Sequence, residues 1–174
     1  GVFRRQRQMC IRDRSKIIGI TGWKDVGKTY YASLIIKLLV KRGYQVGSIK
    51  HAHHDFDIDK PGTDSFKHRE AGSNQVIISS SKRWAKITEN KNENEKSLDE
   101  LIQELQNVDV IVVEGFKKDN HPKIEILSKD LKNRNKETKN VIAIVSNDLK
   151  DTITPVYKEN DIENLVEFII KKIL

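Results

Sequence analysis

The stretch Gly22-Trp23-Lys24-Asp25-Val26-Gly27-Lys28-Thr29 decides the fold of this chain. It matches the pattern G-x-x-x-x-G-K-[ST], with an apolar run at residues 17–20 before it and a helical apolar pattern at residues 30–42 after it. Glycines let the backbone curl until its N–H groups point at one anion, and the start of a helix adds partial positive charge. This strand, loop and helix context predicts a phosphate-binding loop with the P-loop NTPase fold.

Three side chains carry the chemistry that this loop predicts. Lys28 would reach the β and γ phosphates of a nucleotide, and the Thr29 hydroxyl would coordinate Mg²⁺. Glu114 ends an apolar run at residues 110–113, so a buried strand would deliver its carboxylate to the same edge of the sheet. We therefore predict that Lys28 and Glu114 are catalytic and that Thr29 and Glu114 hold the metal.

The order of apolar patterns predicts a three-layer α/β fold with a mostly parallel central sheet and a small β-hairpin extension at residues 75–87. Further strands are expected at residues 45–49, 110–113, 123–127 and 141–145. Further helices are expected at residues 64–70 and from residues 97 and 161 onwards. A chain of 174 residues is long enough for one core, so residues 16–174 are predicted to form a single nucleotide-binding domain.

The positive charge of the chain is concentrated at its N-terminus. Of the formal net charge of +7, residues 1–16 carry +5, which leaves +2 for residues 17–174. The composition of this arm matches nothing after it, so residues 1–15 are predicted to be a non-native or disordered basic arm. The small excess on the remaining residues does not favour a nucleic-acid partner.

Cysteine content and hydropathy exclude other classes of protein. Cys10 is the only cysteine, so the chain cannot form an intramolecular disulfide or a multi-cysteine metal site. No apolar run approaches the roughly 20 residues that cross a bilayer, and the sequence does not open with a signal-peptide pattern. We therefore expect a cytoplasmic location and no membrane partner.

Residues 50–65 follow the second predicted strand and contain three histidines and four carboxylates. They should lie at the carboxyl edge of the sheet, where open α/β folds bind ligands. Three interpretations stay open: a solvated polar loop, a transition-metal site of His51, His53 and His54, or a loop that acts on the nucleotide. In the last, Asp55 acts on Mg²⁺ or its water, and the histidines or the lysine that opens the segment contact an anionic substrate.

The strand predicted at residues 141–145 ends in Ser146-Asn147-Asp148. A carboxylate there could accept hydrogen bonds from the N1–H and exocyclic amine of guanine, a pattern that adenine does not offer. Asp148 is therefore a candidate guanine contact, although Asn-Asp before a leucine is also a common turn.

Three segments together resemble the MobB family, the molybdopterin-guanine dinucleotide biosynthesis protein B family. They are GWKDVGKT from residue 22, KHAHHDFDIDKPGTDS from residue 50 with HREAG after it, and VIVVEGFK from residue 110. The loop pattern alone occurs in many unrelated NTPases, whereas the His-Asp segment is far more specific. The resemblance covers residues 16–173.

The resemblance implies a cytoplasmic, homodimeric GTP-binding protein with low intrinsic GTPase activity. It would use GTP and Mg²⁺ beside the guanylyltransferase that joins GMP to molybdopterin, an intermediate of the molybdenum cofactor. Carried over residue by residue, the family's functional positions include the phosphate loop and Glu114. Its signature loop contains His51, His53, Asp55 and Asp59, and Asp55 joins the predicted catalytic and metal-binding residues.

Tyr30 and Tyr31 depart from the family, which often has Thr followed by a small or aliphatic residue at these positions. Two other functions stay open beside GTP hydrolysis. A small-molecule kinase on the same loop would transfer the γ phosphate to an acceptor and would need lid arginines. A non-hydrolytic carrier or adaptor would bind molybdopterin and its transferase, with nucleotide only setting its conformation.

Overall fold

A computed structural model describes residues 16–52, 55–90, 94–127, 137–149 and 152–174 of the chain. The predicted basic arm and the predicted ligand His53 therefore lie outside the described residues. The chain divides into two compact units. The sheet unit comprises the chain up to His51 together with Leu98–Leu174, and the insert unit comprises Ala52–Ser97.

Eight strands are present among the described residues. They are β1 (Ile17–Gly22), β2 (Val46–Lys50), β3 (Gln75–Ser79), β4 (Trp84–Thr88), β5 (Val110–Glu114), β6 (Lys123–Ile126), β7 (Val141–Val145) and β8 (Val156–Tyr157). Six of them form one sheet in the order β2-β5-β1-β6-β7-β8, and every pairing in it is parallel. The carboxyl ends of all six strands therefore lie at one edge of the sheet.

Helices cover both faces of this sheet. The described residues form the helices α1 (Lys28–Lys41), α2 (Asp64–Glu70), α3 (Leu98–Gln103) and α4 (Ile162–Ile173). Helices α1 and α4 pack on one face through a core that includes Ile20, Ile35 and Leu165, all fully buried. Helix α3 contributes Leu98 to a smaller core with Val113 on the other face. The predicted three-layer α/β fold is confirmed.

The central strands are apolar on both faces because helices or loops cover both. In β1, Ile18 and Ile20 enter the larger core, whereas Ile17 enters the smaller one. This alternation is the pattern of a strand buried on both faces, as parallel sheets require. No helix in the described ranges is long and apolar enough to span a bilayer.

An ionic clasp joins the end of α1 to α4. Arg42, the residue after α1, donates hydrogen bonds to Glu163 at 2.8 Å and to Glu167 at 2.7 Å. These hydrogen bonds raise the pKa of Arg42.

Asp161 lies at the N-cap position of α4. Its carboxylate accepts a hydrogen bond from the side chain of Asn164 at 2.6 Å and not from a backbone N–H of the helix.

The insert unit contains α2 and a two-stranded antiparallel sheet. Strands β3 and β4 pair from Gln75 opposite Thr88 to Ser79 opposite Trp84. The predicted β-hairpin extension is thus confirmed, with its second strand at Trp84–Thr88. Strand β8 was not predicted, because its two residues are too few to show a period.

Candidate functional site

The phosphate loop connects β1 to α1 and depends on two glycines. Gly27 has a φ of 87°, a left-handed conformation that side chains other than glycine rarely adopt. At Gly22 the backbone of β6 approaches so closely that a Cβ would lie 2.6 Å from the carbonyl oxygen of Ile126. The loop therefore curls tightly at the carboxyl end of the central strand, as the sequence predicts.

The loop lysine lies in surroundings that disfavour its charge. Lys28 Nζ donates a hydrogen bond to the Trp23 carbonyl oxygen at 2.5 Å. Burial lowers the pKa of Lys28, and the charge of Lys117 lowers it further, with Glu114 partly opposing both. Lys117 Nζ lies 5.7 Å from the centre of the Trp23 ring, within the range of a cation–π contact. A bound anion would relieve the repulsion between these lysines.

Thr29 and Glu114 meet across the mouth of the loop. The Thr29 hydroxyl donates to Glu114 Oε1 at 2.8 Å, although the residues are 85 positions apart in sequence. Strand register explains the meeting, because Ile20 of β1 lies opposite Glu114 of β5. A hydroxyl and a carboxylate are hard oxygen donors of the kind that Mg²⁺ takes from a protein when phosphates and water supply its other ligands. These two side chains fit the predicted metal.

Lys50 joins the same group of side chains. Strand β2 pairs with β5 so that Lys50 lies opposite Glu114. Lys50 Nζ donates to the Thr29 hydroxyl oxygen at 3.2 Å and lies 3.5 Å from Glu114 Oε1. The ammonium group of Lys50 therefore offsets the charge of the Glu114 carboxylate, beside the same two side chains that would hold the metal.

His51 is held against the end of β5. Its backbone N–H donates to the Glu114 carbonyl oxygen at 2.9 Å, and its ring stacks on Phe116 with 4.7 Å between ring centres. The approach requires Gly115, since a Cβ there would lie 2.6 Å from the Cβ of His51. The first histidine of the predicted signature loop is thus positioned beside the predicted acidic strand end.

Of the predicted carboxylates of the insert unit, Asp59 belongs to a group around Arg69. The Arg69 guanidinium donates to Asp59 at 3.1 and 2.7 Å, to Asp57 at 2.8 Å and to Glu89 at 2.8 Å. The Asp59 side chain is only 4% exposed, and its hydrogen bonds from Arg69 lower its pKa. Asp55 is exposed. Asp59 therefore has a partner inside the insert unit.

The structure brings together the phosphate loop, His51 and Glu114 at one edge of the sheet unit. Asp148 lies in the loop after β7, where its side chain is exposed and its N–H donates to Ser146 Oγ at 3.3 Å. Asp55 and Asp59 belong to the insert unit. In the described ranges, no group of three or more His, Cys, Asp or Glu side chains is placed to hold a metal ion.

One basic residue of this edge was missed by sequence reasoning. Lys117 follows Glu114 by three residues and influences Lys28, but a lysine after a strand is ordinarily a solvated side chain. The signal that could have found it is the pair Gly115-Phe116, a glycine at a turn followed by an apolar residue. Because the chain turns back after β5 and Phe116 is partly buried in the smaller core, the next residue, Lys117, stays close to the phosphate loop.

Comparisons with known proteins agree with one another. The model of the family described as MobB, molybdopterin guanine dinucleotide synthesis protein B, matches residues 17–147. The molybdopterin-guanine dinucleotide biosynthesis adapter protein of Escherichia coli strain K12 is 36% identical over 160 residues, or 89% of this chain and 91% of that protein. The protein of the same name from Haemophilus influenzae is 43% identical over 110 residues, or 62% of this chain and 61% of that protein.

Solved structures share the fold. The crystal structure of Bacillus subtilis MobB aligns with a TM-score of 0.75 at 24% identity, covering 91% of this chain and 98% of that one. A crystal structure of molybdopterin-guanine biosynthesis protein B aligns with a TM-score of 0.73 at 25% identity, covering 89% of this chain and 97% of that one. The chain therefore shares its overall fold with these proteins.

Proposed function

This chain belongs to the MobB family, and from that membership we propose that it is a GTP-binding accessory protein of molybdopterin-guanine dinucleotide biosynthesis. In this proposal it binds GTP with Mg²⁺, hydrolyses GTP slowly and assists the guanylyltransferase that acts on molybdopterin. The observation that carries the proposal is the hydrogen bond between Thr29 and Glu114 beside Lys28. A cytoplasmic location and a homodimer are part of the same proposal.

The chain's own residues divide the work on the nucleotide. Lys28 and the N–H groups of the loop bind the phosphates and offset their charge. Thr29 and Glu114 are the residues that would hold Mg²⁺, with Glu114 acting directly or through water. When bound, Mg²⁺ would offset charge on the β and γ phosphates.

The position of the arginine in the described part of the sheet unit supports slow hydrolysis. In P-loop enzymes an arginine that contacts the transferring phosphoryl group accelerates hydrolysis by about 10³- to 10⁵-fold. The only arginine in the described part of the sheet unit is Arg42, which the clasp to Glu163 and Glu167 holds beyond the far end of α1. Fast turnover would need an arginine from elsewhere, either on a partner or outside the described part of the sheet unit.

A second candidate function is a non-hydrolytic adaptor. The observation that favours it is the name of the relatives from E. coli and H. influenzae, which are called adapter proteins. In this alternative, GTP sets the conformation in which the chain meets molybdopterin and the transferase. A variant that binds GTP but does not hydrolyse it would then still support cofactor maturation.

The test of the proposal is the substitution Lys28→Ala compared with Lys37→Ala, in titrations of a fluorescent GTP analogue with Mg²⁺. Lys37 is an exposed lysine of the same helix, so the two variants lose the same charge. We expect Lys28→Ala to weaken binding by about 10- to 100-fold, since hydrogen bonds to charged groups contribute about 1.5–3 kcal/mol. Lys37→Ala should bind like the unaltered chain. Equal affinities for both variants would contradict the proposal.

A further inference from the structure

A hollow lies at the carboxyl ends of β7 and β8, at the same edge of the sheet as the phosphate loop. Its volume is about 410 Å³, and it is lined by Asn147, Lys158, Glu159 and Asn160. This volume is within the range of about 300–1,000 Å³ that small-molecule sites occupy. All four side chains that line the hollow are polar, and the proposed phosphate chemistry uses none of them.

Strand pairing fixes the two walls of the hollow against each other. Val145 of β7 lies opposite Tyr157 of β8, and the N–H of Ser146 donates to the Tyr157 carbonyl oxygen at 2.9 Å. Just beyond the strands, Asn147 Oδ1 accepts a hydrogen bond from the N–H of Glu159 at 3.1 Å. This bond orients the Asn147 amide, so its NH₂ group is the one left to donate to a ligand.

The Glu159 carboxylate is available to a ligand. Its side chain is exposed, and it accepts no hydrogen bond and forms no ion pair with any residue that the structure describes. A carboxylate is an acceptor only and can take two parallel N–H groups at once. Asn147 and Glu159 thus present a donor and a double acceptor on opposite walls of one hollow.

The hollow and the phosphate loop are neighbours in the sheet unit. Burial raises the pKa of Tyr31, and the charge of Glu159 raises it further, so Glu159 lies near the first turn of α1. The Tyr31 ring in turn lies 3.7 Å from the position that a Cβ on Gly27 would occupy. Neighbouring strands are about 4.8 Å apart, so β7 lies about 10 Å from β1, with β6 between them. A ribose and the first phosphates of a nucleotide can bridge that separation.

We propose that this hollow binds the guanine base of the nucleotide, with Glu159 accepting the N1–H and 2-amino groups and Asn147 donating to O6. The assignment rests on the proposed nucleotide site and adds the base to it. Guanine offers this donor and acceptor pattern, whereas adenine has an unprotonated N1 and an amino group in place of O6. Asp148, the guanine contact expected from the sequence, is not among the residues that line the hollow.

The experiment compares Glu159→Gln with Asp148→Asn, two variants that each exchange one exposed carboxylate for an amide. Affinities for GTP, ITP and ATP are measured by displacement of a fluorescent triphosphate. A two-hydrogen-bond contact to a base contributes about 1–3 kcal/mol of discrimination, so Glu159→Gln should weaken GTP binding by about 5- to 150-fold and leave ATP binding unchanged. ITP lacks the 2-amino group, so the preference for GTP over ITP should also disappear in this variant.

Asp148→Asn should bind all three nucleotides like the unaltered chain, and Asn147→Ala should weaken GTP and ITP but not ATP. The assignment is wrong if Glu159→Gln keeps its affinity for GTP or loses GTP and ATP equally. It is also wrong if the loss falls on Asp148→Asn. Triphosphates that bind through Lys28 without preference for GTP would refute the base site alone. Failure of every triphosphate to bind would refute both proposals.

Discussion

Two charged groups of this molecule contain a cation among ionisable neighbours and treat it in opposite ways. At the phosphate loop, burial and the neighbouring Lys117 lower the pKa of Lys28. In the insert unit, the hydrogen bonds that Arg69 donates to Glu89, Asp59 and Asp57 raise its pKa. The first cation lies in surroundings that disfavour its charge, whereas three carboxylates satisfy the second.

This difference separates a binding role from a structural role. A cation that the protein itself neutralises only in part gains most from an external anion, which is the situation of Lys28. A cation with several carboxylate partners organises the chain around it. Arg69, in α2, does so for Asp57 and Asp59 before this helix and for Glu89 after it. The sequence alone does not distinguish these two kinds of charged cluster, because it does not show which residues form ion pairs.

The largest expected effect comes from His121, which is buried without a hydrogen-bond partner for its ring among the described residues. It tests the effect of burial on a positive charge, which is one part of the comparison between Lys28 and Arg69. His121 is 7% exposed, and neither ring nitrogen has a hydrogen-bond partner among the described residues. Burial, with a smaller contribution from Lys123, lowers the pKa of His121 to about 4 from 6.5. Between these pH values the unfolded chain binds more protons than the folded chain, so acid favours unfolding.

We expect the free energy of unfolding to fall by about 3 kcal/mol from this residue alone as the pH drops from 7 to 4, at about 1.36 kcal/mol per unit of pKa. Urea unfolding at both pH values measures the change. His121→Leu should lose this part of the pH dependence, whereas His68→Gln, at an exposed histidine, should keep it. An unchanged pH dependence in His121→Leu would show that burial does not disfavour this cation.

The next largest effect should come from Glu114, the carboxylate at the phosphate loop. Glu114→Gln keeps the size of the side chain but removes the charge that would attract a metal. We expect the Mg²⁺ concentration needed for half-maximal tightening of GTP binding to rise by about 10- to 100-fold, as for other residues that support a metal site. Titration of Mg²⁺ at fixed GTP measures this.

Lys50 supplies the matched control for Glu114. Its ammonium lies 3.5 Å from Glu114 Oε1, so Lys50→Met should free the carboxylate and lower the required Mg²⁺ concentration. The two substitutions should therefore move the Mg²⁺ requirement in opposite directions. A shift in the same direction would mean that Glu114 does not act through the metal.

The smallest effect should come from the Arg69 group, because its charges are already paired and partly screened by water. Asp59→Asn should speed hydrogen exchange in α2 and leave GTP affinity unchanged, with Asp55→Asn as the exposed control. The pKa of Asp59 is lowered in the folded chain, so its contribution is present above pH 4 and is lost as the pH falls through the lowered value. In acid, hydrogen exchange in α2 should therefore become equally fast in Asp59→Asn and in the unaltered chain. A loss of GTP affinity without faster exchange would instead assign Asp59 to the nucleotide.

The phosphate loop and the strands around it were predictable because they depend on local patterns. Glycine spacing and an apolar run followed by an acid identify Gly22, Lys28 and Glu114 without knowledge of the fold. Their meeting at one edge follows from the rule that parallel strands end together. The same rule places Lys50, which follows the second predicted strand.

Features that depend on long-range burial could not be predicted in this way. The alternation Lys123-Ile124-Glu125-Ile126 is typical of a strand with one face in water, yet all four residues are buried. Lys123 Nζ donates to the carbonyl oxygens of His121 and Lys139, both at 3.0 Å. Such backbone partners leave no mark in the sequence. The hollow after β8 was missed because a two-residue strand has no detectable period.

The central place of β1 has a consequence for how the protein is made. Its partners in the sheet are β5 and β6, so Ile17 must find Ile111, and Gly19 must find Lys123. A growing chain leaves the ribosome with β1 finished and both its hydrogen-bonding edges unpaired until those residues follow. The hairpin pairing of Gln75 with Thr88 is local and can form first. The phosphate loop is therefore synthesised before the strands that hold it in place.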